Sequence, residues 1–232
     1  MKVILFIFIL SVFSETSVQK DMYEGIRNDM VDKQLVSRGI RDNATLMAMR
    51  KVPRHLFVPE EIAEYAYEDT PLEIGSGQTI SQPYIVAYMT ECAAPAKNKK
   101  ALEVGTGSGY QAAVLAEIVD TVYSVEIIHE LAVSSAARLK RLGYKNVVVR
   151  EGDGYAGWPS HAPFDIIMVT AAADAIPQPL IDQMAEGGRL IIPVGKPHEV
   201  QQLIMLKKEK GEITEKKLTL VRFVPLTRDK KN

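Results

Sequence analysis

Ala101-Leu-Glu-Val-Gly-Thr-Gly-Ser-Gly-Tyr110 is the stretch around which the rest of the chain is organised. A short apolar run ends in three glycines at alternate positions, Gly105, Gly107 and Gly109, and an alanine-rich segment follows from Gln111 to Ile118. Strand, glycine turn and helix, in that order, form the context a nucleotide-binding loop needs. Glycine lets the backbone turn tightly and lets a ligand come close. The helix start adds unpaired N–H groups and the positive end of its dipole. The spacing is G-x-G-x-G, not the G-x-G-x-x-G of dinucleotide enzymes, and Glu103 stands two residues before the first glycine. Together these features favour an S-adenosylmethionine pocket over a nicotinamide one.

Downstream of the loop the pattern is regular. Residues 101–104, 121–126, 146–150, 164–170 and 188–194 read as strands, and 108–118, 129–142 and 177–184 as helices. Apolar strands alternating with helices predict a parallel sheet covered on both faces. The ending differs. Residues 201–207 and 218–224 are strand-like, and the polar segment around Gly211 leaves no room for a long helix. That predicts an antiparallel pair at the sheet edge.

Upstream, residues 21–38 read as an amphipathic helix with Met22, Ile26, Met30 and Leu35 toward one side and Gly39 as its stop. Asp42 and Asn43 can cap a short helix through Met49, which Pro53 ends. Pro59-Glu-Glu61 opens another short helix, 69–78 reads as loop or irregular strand, and Ser81-Gln-Pro83 begins a helix carrying Ile85, Val86, Met89 and Cys92.

The 232 residues suffice for one large domain; 47% are apolar and 25% charged, ordinary for a protein with a real core. A net charge of -1 gives no reason to expect nucleic acid or an anionic membrane as a partner. The single cysteine, Cys92, excludes an intrachain disulfide, and His55, His129, His161 and His198 show no metal-ligand spacing. Lys2, the apolar run Val3 to Phe13 and the small residues around Ser14 fit a secretory leader over residues 1–20. The run is too short to span a bilayer as a helix.

In open doubly wound sheets ligands bind beyond the carboxyl ends of the strands, where strand order reverses. The first strand ends in the glycine loop. The second ends in Glu126, 21 residues after Gly105, where a carboxylate can accept from both ribose hydroxyls. The third ends in Glu151-Gly-Asp-Gly154; Asp153 can accept from an adenine amino group, or simply bond its own turn. The fourth ends in Thr170-Ala-Ala-Ala173, small residues that leave space and supply no acid or base. Trp158 reads as a packing residue.

Leu102 to Tyr110, Glu151-Gly-Asp-Gly154 and Gly187-Gly-Arg-Leu-Ile-Ile-Pro-Val-Gly195 together resemble the protein L-isoaspartate (D-aspartate) O-methyltransferase family. So do three more specific segments, Val52-Pro-Arg-His-Leu-Phe-Val-Pro59, Gln78-Thr-Ile-Ser-Gln-Pro83 and Phe223-Val-Pro-Leu-Thr227. The resemblance runs from about Met30 to Thr227; only the leader departs from it. It implies an α/β fold: a doubly wound, Rossmann-like S-adenosylmethionine-dependent methyltransferase sheet, with a C-terminal antiparallel strand pair and an N-terminal helical cap. The expected layout is a single domain over 21–232, with cap and substrate-side segment at 21–100 and cofactor-binding sheet at 101–232.

The implied reaction is methyl transfer from S-adenosylmethionine to the free α-carboxylate of L-isoaspartyl residues in damaged proteins and peptides, starting repair through a succinimide. By the same resemblance Ser81 is the catalytic serine, its hydroxyl holding the substrate carboxylate. The alternative is a serine that only caps the helix after it. Gln82, Pro83 and Tyr84 are expected near the cofactor, with Glu103, Gly105, Gly107, Gly109, Glu126, Asp153 and Gly154, and Thr227 closes the pocket. No metal, no nucleic acid and no stable membrane partner are expected, and the chain is expected to be a monomer. Cofactor supply points to the cytoplasm; the leader points to export. A dinucleotide oxidoreductase, a methyltransferase for RNA or small molecules, and a binding protein without turnover are the competing readings.

Overall fold

A seven-stranded sheet organises the molecule, in a computed structural model that describes residues 15–228, with side chains from residue 23 onward. The core of the expected leader, residues 1–14, lies outside the described residues. Among those described, no helix is long and apolar enough to cross a membrane.

The N-terminal part is helical. Helix α1 (Glu15–Met30) runs on through a π turn (Val31–Leu35) and a 3-10 turn (Val36–Arg38), and Gly39 stops it in the left-handed region at φ 97°. It starts six residues before the expected residue 21, so the expected boundary at residue 20 falls inside it. The π turn sets Val31 and Leu35 both fully into the core, while Ile26, expected on the buried side, is 43% exposed. Helix α2 (Asn43–Lys51) begins as expected: Asp42 Oδ2 accepts from Thr45 N at 2.7 Å. Residues 69–78 resolve into most of a hairpin, β1 (Leu72–Gly75) and β2 (Gln78–Ile80), followed by α3 (Pro83–Ala93).

Then come β3 (Lys100–Val104), α4 (Tyr110–Ala116), β4 (Thr121–Glu126), α5 (His129–Arg141), β5 (Val147–Glu151) and β6 (Phe164–Val169). The chain ends with α6 (Gln178–Asp182), β7 (Met184–Val194), β8 (Gln201–Glu209) and β9 (Glu212–Val221). Sheet order is β5-β4-β3-β6-β7-β8-β9; the first five are parallel and β8 and β9 run antiparallel at the edge. The order reverses at β3, between β4 and β6, so the switch point lies at the end of the strand that leads into the glycine loop.

Both faces of the sheet are packed. Leu102, Val104, Ile167 and Val169 belong to one cluster; Ala101, Ile166 and Met168 join the helices and the N-terminal cap in the other. Trp158 packs edge-on to Tyr123 at 5.4 Å between ring centroids. Two boundaries differ from expectation. β9 starts at Glu212, earlier than 218, because ladder pairing with β8 runs on to Glu209 through polar side chains, and β7 starts at Met184, earlier than 188, because Met184 pairs with Phe164 before a register shift and the ladder resumes at Arg189. β9 also ends early, at Val221, and the chain leaves the sheet to cross toward Ala172.

Candidate active site

A cleft opens at the switch point. The glycine loop forms its floor, Glu126 one end, Gln78–Ser81 and Val224–Thr227 the opposing wall, and Thr170 the side toward β6. Each part is held by a distinct set of bonds.

The loop is fixed from below. Gly105 N donates to Val125 O at 2.8 Å, and the Thr170 hydroxyl donates to Gly105 O at 2.6 Å. Gly105 sits at φ 95°, and a Cβ there would stand 2.6 Å from Thr170 Oγ1, so no other residue fits. Gly109 has a different task. It does not line the cleft; a Cβ on it would meet Leu139 of α5 at 3.1 Å, so it lets α4 and α5 pack closely. Ile74 at the β1–β2 hairpin comes over Gly107.

Glu126 is almost fully buried, and both its oxygens are engaged by backbone: Oε2 accepts from Gly107 N at 2.8 Å and Oε1 from Ile128 N at 3.0 Å. A carboxylate oxygen has two lone-pair sites, so each retains one for a ligand hydroxyl. Glu103 is fully buried beneath the loop, where Ser124 Oγ donates to its Oε2. Thr106 Oγ1 lies 2.5 Å from Ser124 Oγ. Glu103 Oε1 has no partner among the described residues. Burial pushes the Glu103 carboxyl up to about 8, the nearby Glu126 charge adds to this, and the Ser124 bond opposes it.

Ser81 lies in the opposing wall, at the end of β2. It is not a cap: the N-cap position of α3 is Gln82, with no side-chain cap bond, and among the described residues the Ser81 hydroxyl has no hydrogen-bond partner. What orders this corner is Asp69. Its Oδ1 accepts from Tyr84 N at 2.9 Å, and its Oδ2 accepts from Gln82 Nε2 at 3.1 Å and from Arg38 Nη1. Gln82, Pro83 and Tyr84 therefore do not line the cleft. Gln82 faces an adjoining cavity, Pro83 is buried, and Tyr84 lies under the Arg38 guanidinium at 3.5 Å.

At the third strand end Gly154 lines the cleft and Asp153 does not. Asp153 Oδ1 accepts from Tyr155 N at 2.9 Å, the turn bond that was the alternative reading, and its Oδ2 lies 3.6 Å from Arg228 Nε. Thr227 lines the cleft from the C-terminal segment, which is pinned where Leu226 N donates to Ala172 O at 2.7 Å and Ala172 N donates to Val224 O at 2.8 Å.

Sequence reasoning passed over Thr170, Thr79, Gln111 and Asp69. Thr170 carried a readable signal, a hydroxyl at the carboxyl end of a switch-point strand. Asp69 carried none, because its partners Arg38, Gln82 and Tyr84 come from both sides of it in the chain. Behind Tyr110 in the cleft wall lies Arg54, fully buried, its guanidinium 4.9 Å from the Tyr110 ring and its Nε donating to Ala66 O at 2.7 Å.

A parallel sheet with a glycine loop at its switch point, an acid at the end of the next strand and an antiparallel C-terminal pair defines a Rossmann-like methyltransferase. Residues 26–231 match the protein-L-isoaspartate(D-aspartate) O-methyltransferase family, and the chain belongs to it. It is 58% identical over 204 residues to a protein-L-isoaspartate O-methyltransferase of Opitutus terrae, covering 88% of each chain. It is 60% identical over 201 residues to one of Gloeobacter violaceus, covering 87% of this chain and 98% of that one. A solved protein-L-isoaspartate O-methyltransferase superposes at TM-score 0.77 and 31% identity, over 88% of this chain and 65% of that one. A Plasmodium falciparum structure described as the same enzyme, in complex with S-adenosyl-L-homocysteine, gives 0.76 and 28%, over 88% and 99%.

Proposed function

We propose that this chain methylates the free α-carboxylate of L-isoaspartyl residues in proteins and peptides, with S-adenosyl-L-methionine as donor. The observation that carries the reading is the cleft itself: a glycine loop and a two-oxygen acceptor, Glu126, on one side, and an unengaged hydroxyl, Ser81, on the other. The residues fit the cofactor. Glu126 keeps lone pairs for two ribose hydroxyls, and the glycine loop and Gly154 line the cleft beside it. The bound cofactor supplies a methyl group on a sulfonium, already a good leaving group.

The chain's own residues then have a limited task. An α-carboxyl has a reference pKa of about 3.3–3.7, so the acceptor is ionised at neutral pH and needs no general base. The titratable lining residues are Glu103, Glu126 and Tyr110, none of them paired with a histidine. Ser81 Oγ, free of other bonds, donates to the acceptor carboxylate and aims it along the cleft. Thr227 and the pinned Val224–Leu226 segment close the site and exclude water. Positioning of this kind can supply roughly 7–11 kcal/mol of barrier lowering. Asp153 orders the Gly154 turn at the adenine end.

We infer that the chain acts as a monomer, and the net charge of -1 gives no reason to expect a nucleic-acid partner. The reaction belongs in the cytoplasm with its cofactor; recovery of the chain from an exported fraction, cut near Ser14, would overturn that placement. The deciding experiment offers labelled S-adenosylmethionine and two peptides identical except for one L-isoaspartyl or L-aspartyl linkage. Base-labile methyl ester on the isoaspartyl peptide alone is expected. Transfer to neither, with cofactor bound, would defeat the reading.

A further inference from the structure

A second cavity adjoins the cleft, and the two share Thr79, Ser81, Thr170 and Val224. Its remaining walls are mostly apolar, and Arg222 is the one charged residue among those lining it. Val200 and Leu220 stand at its rim 48% and 66% exposed, among the larger exposures of apolar side chains on the described surface. Arg222 has no ion-pair partner among the described residues. The wall is rigid. The buried Gln201 side chain accepts from Phe223 N at 2.8 Å through Oε1, and Val224 O accepts from Ala172 N at 2.8 Å. This is a shaped groove, held where β9 leaves the sheet.

With the cofactor lying on the glycine loop, the second cavity, which also opens on Ser81, offers the rest of an acceptor peptide a way out. We propose that the cavity is a side-chain subsite for the residues flanking the acceptor, taking an apolar side chain against Val200, Leu220 and Phe223 and an acidic side chain at Arg222. The inference rests on the isoaspartyl reading above and adds to it a sequence preference: damaged sites in apolar or acidic surroundings are methylated ahead of those flanked by lysine. Continuity with Ser81 and charge complementarity at Arg222 select a peptide as the occupant. Apolar contact at Leu220 contributes a burial gain. An exposed ion pair at Arg222 adds a modest, salt-sensitive one.

The test uses four isoaspartyl peptides that differ only in one flanking residue: glutamate, lysine, leucine or glycine. Their kcat/KM is measured with the full chain, with Arg222→Glu and with Leu220→Ser. The glutamate peptide is expected to exceed the lysine peptide about fivefold at low salt, and 0.5 M salt should erase most of that ratio. Arg222→Glu should invert the ratio, and Leu220→Ser should cut the leucine-over-glycine advantage about threefold. Both residues are exposed, so thermal melting checks that the variants fold. A ratio near one in the wild type, or an equal loss on all four peptides in Arg222→Glu, overturns the subsite while leaving the isoaspartyl reading intact. Methylation of none of them, with cofactor bound, overturns both.

Discussion

The two sides of the cleft are built in opposite ways. On the glycine-loop side, residues 103–126 form a strand, a turn, a helix and a strand, and the bonds that fix them are mostly internal: Glu126 to Gly107 and Ser124 to Glu103. The facing side is assembled from separate segments. Gln78–Ser81 is the second strand of a small hairpin and the residue after it, Val224–Thr227 follows the last strand, and the ends of these segments are tied from elsewhere, by Asp69 at Gln82 and Tyr84 and by Ala172 at Val224 and Leu226. The first side is continuous with the packed sheet and should be stiff. The second hangs on a few hydrogen bonds, about 0.5–1.5 kcal/mol each, and should be where binding and closure are adjusted. On the proposed reading, the difference predicts that cofactor affinity and acceptor turnover should change separately.

The largest effect should come from beneath the loop. Burial raises the Glu103 carboxyl from about 4.5 to about 8 in the folded state, so its contribution to stability is fully present below about 4.5 and is lost as pH rises toward 8. The loss should amount to about 4 kcal/mol between those limits. Urea titrations from pH 4.5 to 8.5 should show that slope in the wild type and not in Glu103→Gln. Equal slopes would mean the carboxyl is ionised throughout. Next, Gly105→Ala should cost about 3 kcal/mol, from a left-handed backbone and the displaced Thr170 hydroxyl. It should also abolish cofactor binding by calorimetry, and tight binding would break the account of the loop.

On the facing side, Ser81→Ala should slow methyl transfer roughly a hundredfold with cofactor affinity nearly unchanged. Equal turnover would remove Ser81 from the chemistry, and a parallel loss of cofactor would erase the contrast between the two sides. Asp69→Ala should lower kcat/KM about tenfold without a comparable change in cofactor dissociation, because it frees Gln82 and the start of α3 beside Ser81. Asp69→Asn, which keeps an acceptor oxygen, should recover part of the loss. The smallest expected change is a threefold weakening of cofactor binding in Asp153→Ala, which removes a turn bond and an exposed ion pair. An unchanged dissociation constant would end any role for Asp153 at the adenine.

What was legible in the chain follows the same division. Local signals sufficed for the glycine loop, for Glu126 at the end of β4, for Asp42 as a cap and for the antiparallel ending, because each depends on residues a few positions apart. The period of apolar residues located the strands, while their ends shifted where pairing continued beyond the apolar run, as at Glu212. Neighbouring residues with one expected role also separated. Gly107 lines the cleft while Gly109 serves α5, and Gly154 faces the cleft while Asp153 turns to its own backbone and to Arg228.

By itself the sequence determined the class of sheet, the place of the glycine loop and the acid at the end of the next strand, since these are set by short-range backbone geometry and alternating burial. Only the tertiary structure decided that Asp69 holds the start of α3, that Glu103 is buried with an oxygen to spare, and that Ser81 stands between two cavities. Those facts depend on segments distant in the chain meeting in one place, and meeting there is a property of packing that no local pattern encodes.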